Sequence, residues 1–335
     1  MNSFTFVSPT FEAIGIAVDP LISVANHSCD PNCIIMCDGP SVFIRTLKPM
    51  KTGEEITISY GQTSLPFWKR QQDLKAKYYF YCRCSKCTLG PTLPCDRFLQ
   101  PLDAFDAEKW RKVLKDELGV TKLIPNRYKD LGEGPAADVL TTLENALFDY
   151  RQIISKAEGH KHIHENAVKA MKICKDSGMW PVYREPYETF RESDRDVSIG
   201  RDDLVTACAH AAVSYCDVLP VMYPQRFHPL RLVGTWTLLC LINSITPQDF
   251  AKILSLEAAQ GLDLGTVSYT LAHEVIENVG LSHGNECRFF GVATGYAKEV
   301  LEGLREANPI MFEMAPKISE HQMTLLKRLG AYVDY

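Results

Sequence analysis

Three thiols crowd into six residues, Cys82-Arg83-Cys84-Ser85-Lys86-Cys87. Structural zinc takes four tetrahedral ligands, often all cysteine. The triplet therefore calls for a fourth ligand from elsewhere, and the chain must fold back to supply it. Cys29, Cys33 and Cys37 lie upstream and Cys95 just downstream; spacing alone leaves the choice among them open. A redox pair built from Cys84 and Cys87 lacks the βαβ surroundings such a motif needs, and a merely reduced loop is seldom so dense in cysteine.

The metal reading depends on a reducing compartment. The first 18 residues have no basic segment and no small-residue cleavage site, so no secretory signal is expected. The longest weakly polar stretch, residues 232–247, is shorter than the ~20 residues that span a bilayer. Nucleus or cytoplasm is the expected location, with no membrane partner. Twelve cysteines in 335 residues then read as thiols and ligands rather than bridges. The formal charge is −5 and no run of Lys or Arg forms a basic face, so protein is the expected partner and direct nucleic-acid binding is not.

Periodicity divides the chain. From residue 2 to 60 the pattern is short and strand-like, with strands expected at 4–7, 41–45 and 55–60 between Gly, Pro and Asp turn signals. A short polar helix is expected over 66–79. Residues 90–94, with Pro101, read as a linker. Beyond it, apolar residues at helical spacing predict helices over 135–158, 201–219, 229–245, 247–260, 266–279 and 284–307. Thr246, Pro247 and Gly261 supply an N-cap, a first-turn proline and a terminator. Residues 176–203 read as a long polar loop. The helical-hairpin lengths suggest a tetratricopeptide-like stack. His160, His162 and His164 open a helical pattern and read as solvated, whereas Cys174, Cys208, Cys216 and Cys240 read as small core residues.

The most informative stretch is Ala25-Asn26-His27-Ser28-Cys29-Asp30-Pro31-Asn32-Cys33. Gly53-Glu54-Glu55-Ile56-Thr57-Ile58-Ser59-Tyr60 follows, and then the thiol triplet. The three segments, in this order and at these distances, resemble the NHSCDPNC loop, the GEELTISY strand and the post-SET cysteines of SET-domain lysine methyltransferases of the SET and MYND-domain kind. The resemblance is strong over residues 2–87 and looser beyond, where that family also carries a helical domain.

The resemblance implies an α+β chain: a partial SET β-rich domain with a post-SET zinc site, followed by an all-α tetratricopeptide-like domain. The expected boundaries are 1–62 for the C-terminal half of the SET domain, 63–95 for the zinc-binding segment and 96–335 for the helical domain. It implies S-adenosylmethionine and zinc as cofactors and a lysine-containing protein, such as a histone tail, as substrate. Carried over residue by residue, Asn26 and His27 lie in the cofactor-contacting loop and Phe80 meets the adenine. The same resemblance implies that Tyr60 is the catalytic tyrosine and that Phe4 and Tyr78 wall the lysine channel. Cys29 joins Cys82, Cys84 and Cys87 on the metal.

The family pattern also includes a Gly-rich cofactor segment and a MYND zinc finger, which this sequence does not contain. The chain is therefore expected to be a fragment or a shortened form, with open strand edges, apolar faces and impaired activity. The rival expectation is a non-enzymatic, zinc-stabilised helical module that binds protein.

Overall fold

The computed structural model describes residues 4–89, 106–125, 135–155, 160–177, 201–255 and 259–332. Cys95, the linker at 90–94 with Pro101, and most of the polar segment 176–203 lie outside them. Among the described residues, short strands precede a predominantly helical remainder, as the α+β reading expects.

Strands β1 (Phe4–Val7) and β2 (Ala13–Ala17) pair antiparallel, with Phe4 opposite Ala17. Strands β4 (Cys33–Asp38) and β5 (Ser41–Thr46) form a hairpin, Cys33 opposite Thr46 and Asp38 opposite Ser41. Its two-residue turn places Gly39 at φ 58°, a conformation open to glycine and needed for a tight hairpin. A third, short pair is parallel, β3 (Asn26–His27) against β6 (Thr57–Ile58).

The strand expected over 55–60 contracts to Thr57–Ile58, because its flanks are bonded elsewhere. The Glu54 backbone and carboxylate both bond to Lys51 in a turn. The Glu55 carbonyl accepts from the Asn32 side chain, and the Tyr60 amide donates to the His27 ring.

Helix α1 (Phe67–Tyr78) ends at Tyr79, whose φ of 64° reverses the chain. Helix α2 (Ser85–Leu89) follows. Contacts divide the chain into two compact units: Met1–Thr63 with Arg70–Lys86 and Gly200–Asp334, and Ser64–Lys69 with Cys87–Ile199 and Tyr335.

In the second unit, α3 (Ala107–Asp116) is capped by Asp106, which accepts from the Lys109 amide at 3.0 Å. It contacts α4 (Pro135–Ser155), which in turn contacts α5 (His160–Ser177). Trp110, Leu114, Leu143 and Leu147 are buried there.

The first unit holds α6 (Arg201–Val213), a π-helical turn (Ser214–Val218), α7 (Leu219–Met222), α8 (Pro229–Ser244) and α9 (Pro247–Ser255). It continues with α10 (Leu264–His283), α11 (Arg288–Ala307) and α12 (Pro309–Tyr332). The π turn ends two residues before Pro220, whose ring clashes with a regular α-helical turn and which has no N–H to donate. Thr246 caps α9 by accepting from the Asp249 amide at 3.3 Å, and the Asp249 carboxylate accepts from Thr246 in return. Helix α10 is longer than the expected 266–279. It starts at an Asp263 cap that accepts from the Gly265 and Thr266 amides, and it runs on to Gly284 at φ 90°. Residues 284–287 form that turn, so α11 begins at Arg288. Helix α10 lies at the centre of the core and contacts α8, α11 and α12, with Leu232, Leu238, Leu239, Ile253 and Leu271 fully buried around it.

Within this unit the β4–β5 hairpin is fastened to two helix ends. The Arg45 guanidinium donates to the carbonyls of Gly280 and Leu281 at 3.3 and 3.1 Å, at the negative end of α10. Asp38 accepts from the Arg288 amide at 3.0 Å, at the positive end of α11. The buried His283 adds a hydrogen bond from Nε2 to the Pro9 carbonyl at 2.9 Å. The first two contacts fix the β4–β5 hairpin, which lies in sequence between the two motif segments, and the last fixes the β1–β2 loop.

Candidate active site

The two motif segments meet in the parallel pair β3–β6. Asn26 lies opposite Thr57 and His27 opposite Ile58, and the Ser28 amide extends the ladder to the Ile58 carbonyl at 2.9 Å. So short a pair has little strength of its own, and Asn32, 8% exposed, reinforces it. The Asn32 Nδ2 donates to the Glu55 carbonyl at 2.8 Å, while Oδ1 accepts from the Thr57 amide at 2.8 Å and the Thr57 hydroxyl at 3.1 Å. Asn26 is exposed and donates to the Glu55 carboxylate at 2.6 Å.

Beyond the ladder the chain turns at Cys29. The Asp30 amide bonds to Ser28 Oγ at 3.0 Å, and the Asp30 carboxylate pairs with Lys48 and accepts from Ser85 Oγ at 3.2 Å. This last bond joins the turn to the first residue of α2. The sulfurs of Cys29, Cys82, Cys84 and Cys87 all lie within 4.8 Å of one another. Tetrahedral zinc with Zn–S near 2.3 Å spaces its sulfurs about 3.8 Å apart, so this donor set can hold such an ion. Cys29, Cys82 and Cys87 are buried, and Cys84 is half-buried. Of the described alternatives from sequence spacing, Cys33 packs with Ile22 and Ile58 and donates to the Met50 sulfur at 3.6 Å, and Cys37 is buried in β4; Cys95 lies outside the described residues.

Gln71 on α1, buried, clamps one corner of the cluster. Its Nε2 donates to the Cys82 carbonyl and its Oε1 accepts from the Cys82 amide, both at 2.9 Å. The left-handed turn at Tyr79 brings Phe80 and Cys82 back along α1 to make this clamp reachable.

The remaining expected residues form an aromatic group. The Tyr60 ring lies 4.9 Å from Tyr78 and 5.2 Å from His27, and His27 lies 5.8 Å from Phe80. The Tyr60 hydroxyl donates to the Ala25 carbonyl at 2.7 Å, and the Tyr78 hydroxyl donates to the Tyr60 carbonyl at 3.3 Å. Phe4 packs with Tyr60 against Ile22, Cys33 and Ile58. Burial pushes the His27 imidazole down to about 4, with Cys84 opposing the shift and Arg70 adding to it. Its Nδ1 accepts from the Tyr60 amide at 3.0 Å, and its Nε2 is 3.2 Å from Cys29 Sγ.

Sequence reasoning did not foresee Asn32, Gln71 or the Ala25 carbonyl. Asn32 sits inside the quoted motif, where it could have been singled out. Gln71 has no local signal, because its partner is eleven residues away across a turn. Of the cysteines read as core, Cys174 and Cys208 are buried, and Cys216 and Cys240 are half-buried. Burial raises all four thiols, Cys208 to about 12 and Cys240 to about 11.

Residues 5–61 match the SET domain family. Histone-lysine N-methyltransferase SMYD3 of Homo sapiens is 38% identical over 86 residues, which is 26% of this chain and 20% of that protein. A SET and MYND domain-containing protein of Dictyostelium discoideum is 41% identical over 86 residues, 26% of this chain and 22% of its own length. SET domain and MYND-type zinc finger protein 6 of Schizosaccharomyces pombe is 38% identical over 87 residues, covering 26% of this chain and 18% of that protein. The chain thus spans about one fifth of the length of the curated relatives it matches. Its N-terminal region is thus similar to the SET-domain part of SET and MYND domain-containing proteins, and the likeness covers only that part.

Proposed function

We propose that this chain, with its SET-domain sequence of the SET and MYND kind, carries the tyrosine, aromatic and metal-binding side of a site for S-adenosylmethionine-dependent methyl transfer to protein lysine. The observation that carries this reading is the threading of β3 beside β6. It sets the Tyr60 ring between His27 and Tyr78 and engages its hydroxyl proton on Ala25. When bound, S-adenosylmethionine supplies an electrophilic methyl group on a sulfonium. Asn26, His27 and Phe80 would hold it. Phe80 is half-buried with its ring near His27, which suits an adenine face.

The protein's task is then alignment and exclusion of water. The Tyr60 hydroxyl donates its proton to Ala25, which turns the acceptor character of its oxygen to use: it would accept from the substrate amine or from a polarised methyl C–H. Phe4, Tyr60 and Tyr78 would line the lysine stem with apolar surface. Such a wall disfavours the ammonium form and so promotes the neutral nucleophile. Cys29, Cys82, Cys84 and Cys87 would hold zinc and fasten the segment bearing Phe80 beside His27. Histone and non-histone lysines are both in the substrate class. The division at 62 and 95, and the tetratricopeptide-like stacking of the helices, belong to the same proposal.

The rival reading, a non-enzymatic zinc-stabilised interaction module, draws on the outward face of β2 and the residue that follows it, where Ile14, Ile16 and Val18 are 63%, 80% and 55% exposed. One experiment separates the two. The zinc-loaded full chain is titrated calorimetrically with S-adenosylhomocysteine and assayed for methyl transfer to histones and other lysine-containing proteins, beside Tyr60→Phe. The proposal expects binding by both proteins and a transfer rate about 100-fold lower for the variant, the loss typical of removing one transition-state polar group. Absence of both binding and transfer leaves the interaction module as the reading.

A further inference from the structure

We infer that His27 is a positioning residue for the metal centre, its ring coupling the thiolate of Cys29 to the backbone of Tyr60. The inference rests on the reading that the four-cysteine cluster holds a metal, and it assigns a task to the imidazole beyond the cofactor-loop role given to this stretch.

The argument begins with the proton on the ring. A backbone amide can only donate, so the 3.0 Å contact from Tyr60 N to His27 Nδ1 makes Nδ1 the acceptor. A neutral imidazole with a bare Nδ1 carries its hydrogen on Nε2. Nε2 lies 3.2 Å from Cys29 Sγ, within reach for an N–H donated to sulfur. The tautomer is thus fixed by one neighbour and the donor delivered to the other.

Four thiolates on one divalent cation leave the centre with a net charge of −2. An N–H pointed at one sulfur stabilises that charge and orients the ligand, as outer partners of metal ligands commonly do. His27 and Cys29 sit two residues apart on either side of Ser28, whose amide ends the β3–β6 ladder, so the ring and the sulfur are held by the same short piece of backbone. Tyr60 enters through its own amide: the ring that bonds the sulfur also anchors the residue bearing the candidate hydroxyl. Gln71 offers an internal contrast. It bonds the backbone of Cys82 and not its sulfur, so it holds a ligand without touching the electronics of the thiolate.

The test separates the two ring nitrogens. In the full chain, His27→Gln keeps a donor near the position of Nε2, His27→Asn keeps an acceptor near Nδ1, and His27→Leu keeps neither. Zinc content of the wild type is measured first; no bound zinc sinks the four-cysteine reading and the inference with it. With zinc bound, affinity is measured by chelator competition, and thiolate-to-metal charge-transfer absorption is recorded on the cobalt-substituted proteins.

Zinc affinity is expected to fall about 10- to 100-fold in His27→Asn and His27→Leu, with a displaced charge-transfer band, and His27→Gln to stay close to wild type in both. Gln71→Leu is expected to weaken zinc without moving the band. Nitrogen-15 NMR of the zinc-loaded wild type, which needs no variant to fold, is expected to show the proton on Nε2. Wild-type-like affinity and band in His27→Asn, or a proton on Nδ1 in the wild type, overturns the inference while leaving the four-cysteine reading intact.

Discussion

Asn32 is the residue on which the β3–β6 junction most depends, and its removal gives a quantitative test. Asn32→Ala deletes three side-chain hydrogen bonds, to the Glu55 carbonyl, the Thr57 amide and the Thr57 hydroxyl. At a net ~1 kcal/mol per bond the ceiling is about 3 kcal/mol. Glu55 is exposed and Thr57 half-buried, so water recovers part of this and about 2–3 kcal/mol is expected. Asn32→Asp sharpens the test. The introduced carboxyl keeps an oxygen for Thr57 but, when ionised, turns a second oxygen toward the Glu55 carbonyl where the amide had donated. Burial and that carbonyl raise the folded pKa of the new group above its unfolded value. The variant should therefore be nearest to wild type in acid and lose stability as pH rises through the folded pKa. Urea unfolding of the full chain, with hydrogen exchange at the Thr57 and Ser28 amides, reads both effects. A loss below about 0.5 kcal/mol for Asn32→Ala, with exchange at Thr57 unchanged, would refute the reasoning, since that is the scatter of ordinary surface substitutions.

Three other predictions follow from the same contacts. Burial lowers His283 from 6.5 to about 4, so between those values the unfolded chain takes up a proton that the folded one refuses. Stability is full above pH 6.5 and falls toward pH 4 by about 3 kcal/mol. His283→Gln should flatten that stability curve, and superimposable curves would show the ring not to be buried neutral. Tyr79 stands at φ 64° with 81% of its surface exposed, so Tyr79→Gly relieves a left-handed strain of roughly 1–2 kcal/mol while adding about 0.5–1 kcal/mol of unfolded-state entropy. A small rise in Tm is expected, and a fall would mean that the ring is needed at the turn. Arg45→Met should lower stability by about 1–2 kcal/mol by freeing the α10 carbonyls, measured by urea midpoint and by exchange around Gly284. An unchanged midpoint would mean that the fastening of the hairpin to α10 is solvated in solution.

What could be read in the sequence, and what could not, divides by the range of the interaction that decides each element. Helix α9 was legible because Thr246, Asp249 and Pro247 mark its start within four residues. Strand β5 was legible for the same reason, its alternation being closed by the local Gly39 turn. By contrast β6 shrinks to two residues because the amide of Tyr60 is claimed by a ring 33 positions away, a choice invisible to local alternation. Helix α12 escaped periodicity because Pro309 opens it and Pro316 lies within it, where a local reading sees breakers; packing against α10 and α6 keeps it helical.

The candidate site shows the same division more sharply. Residue types pointed to a cysteine cluster and an aromatic group, yet the spacing of Cys29, Cys33 and Cys37 could not choose the fourth sulfur. The choice is made by geometry across the turn: Asp30 reaches Ser85, Asn32 holds Thr57, and Cys33 is drawn inward against Ile22, Ile58 and Met50. Cys33, four residues further on and at the start of β4, points into that apolar cluster instead. Side-chain hydrogen bonds spanning 25 to 55 residues therefore select which sulfur completes the four-cysteine cluster, and one of them holds the Tyr60 backbone.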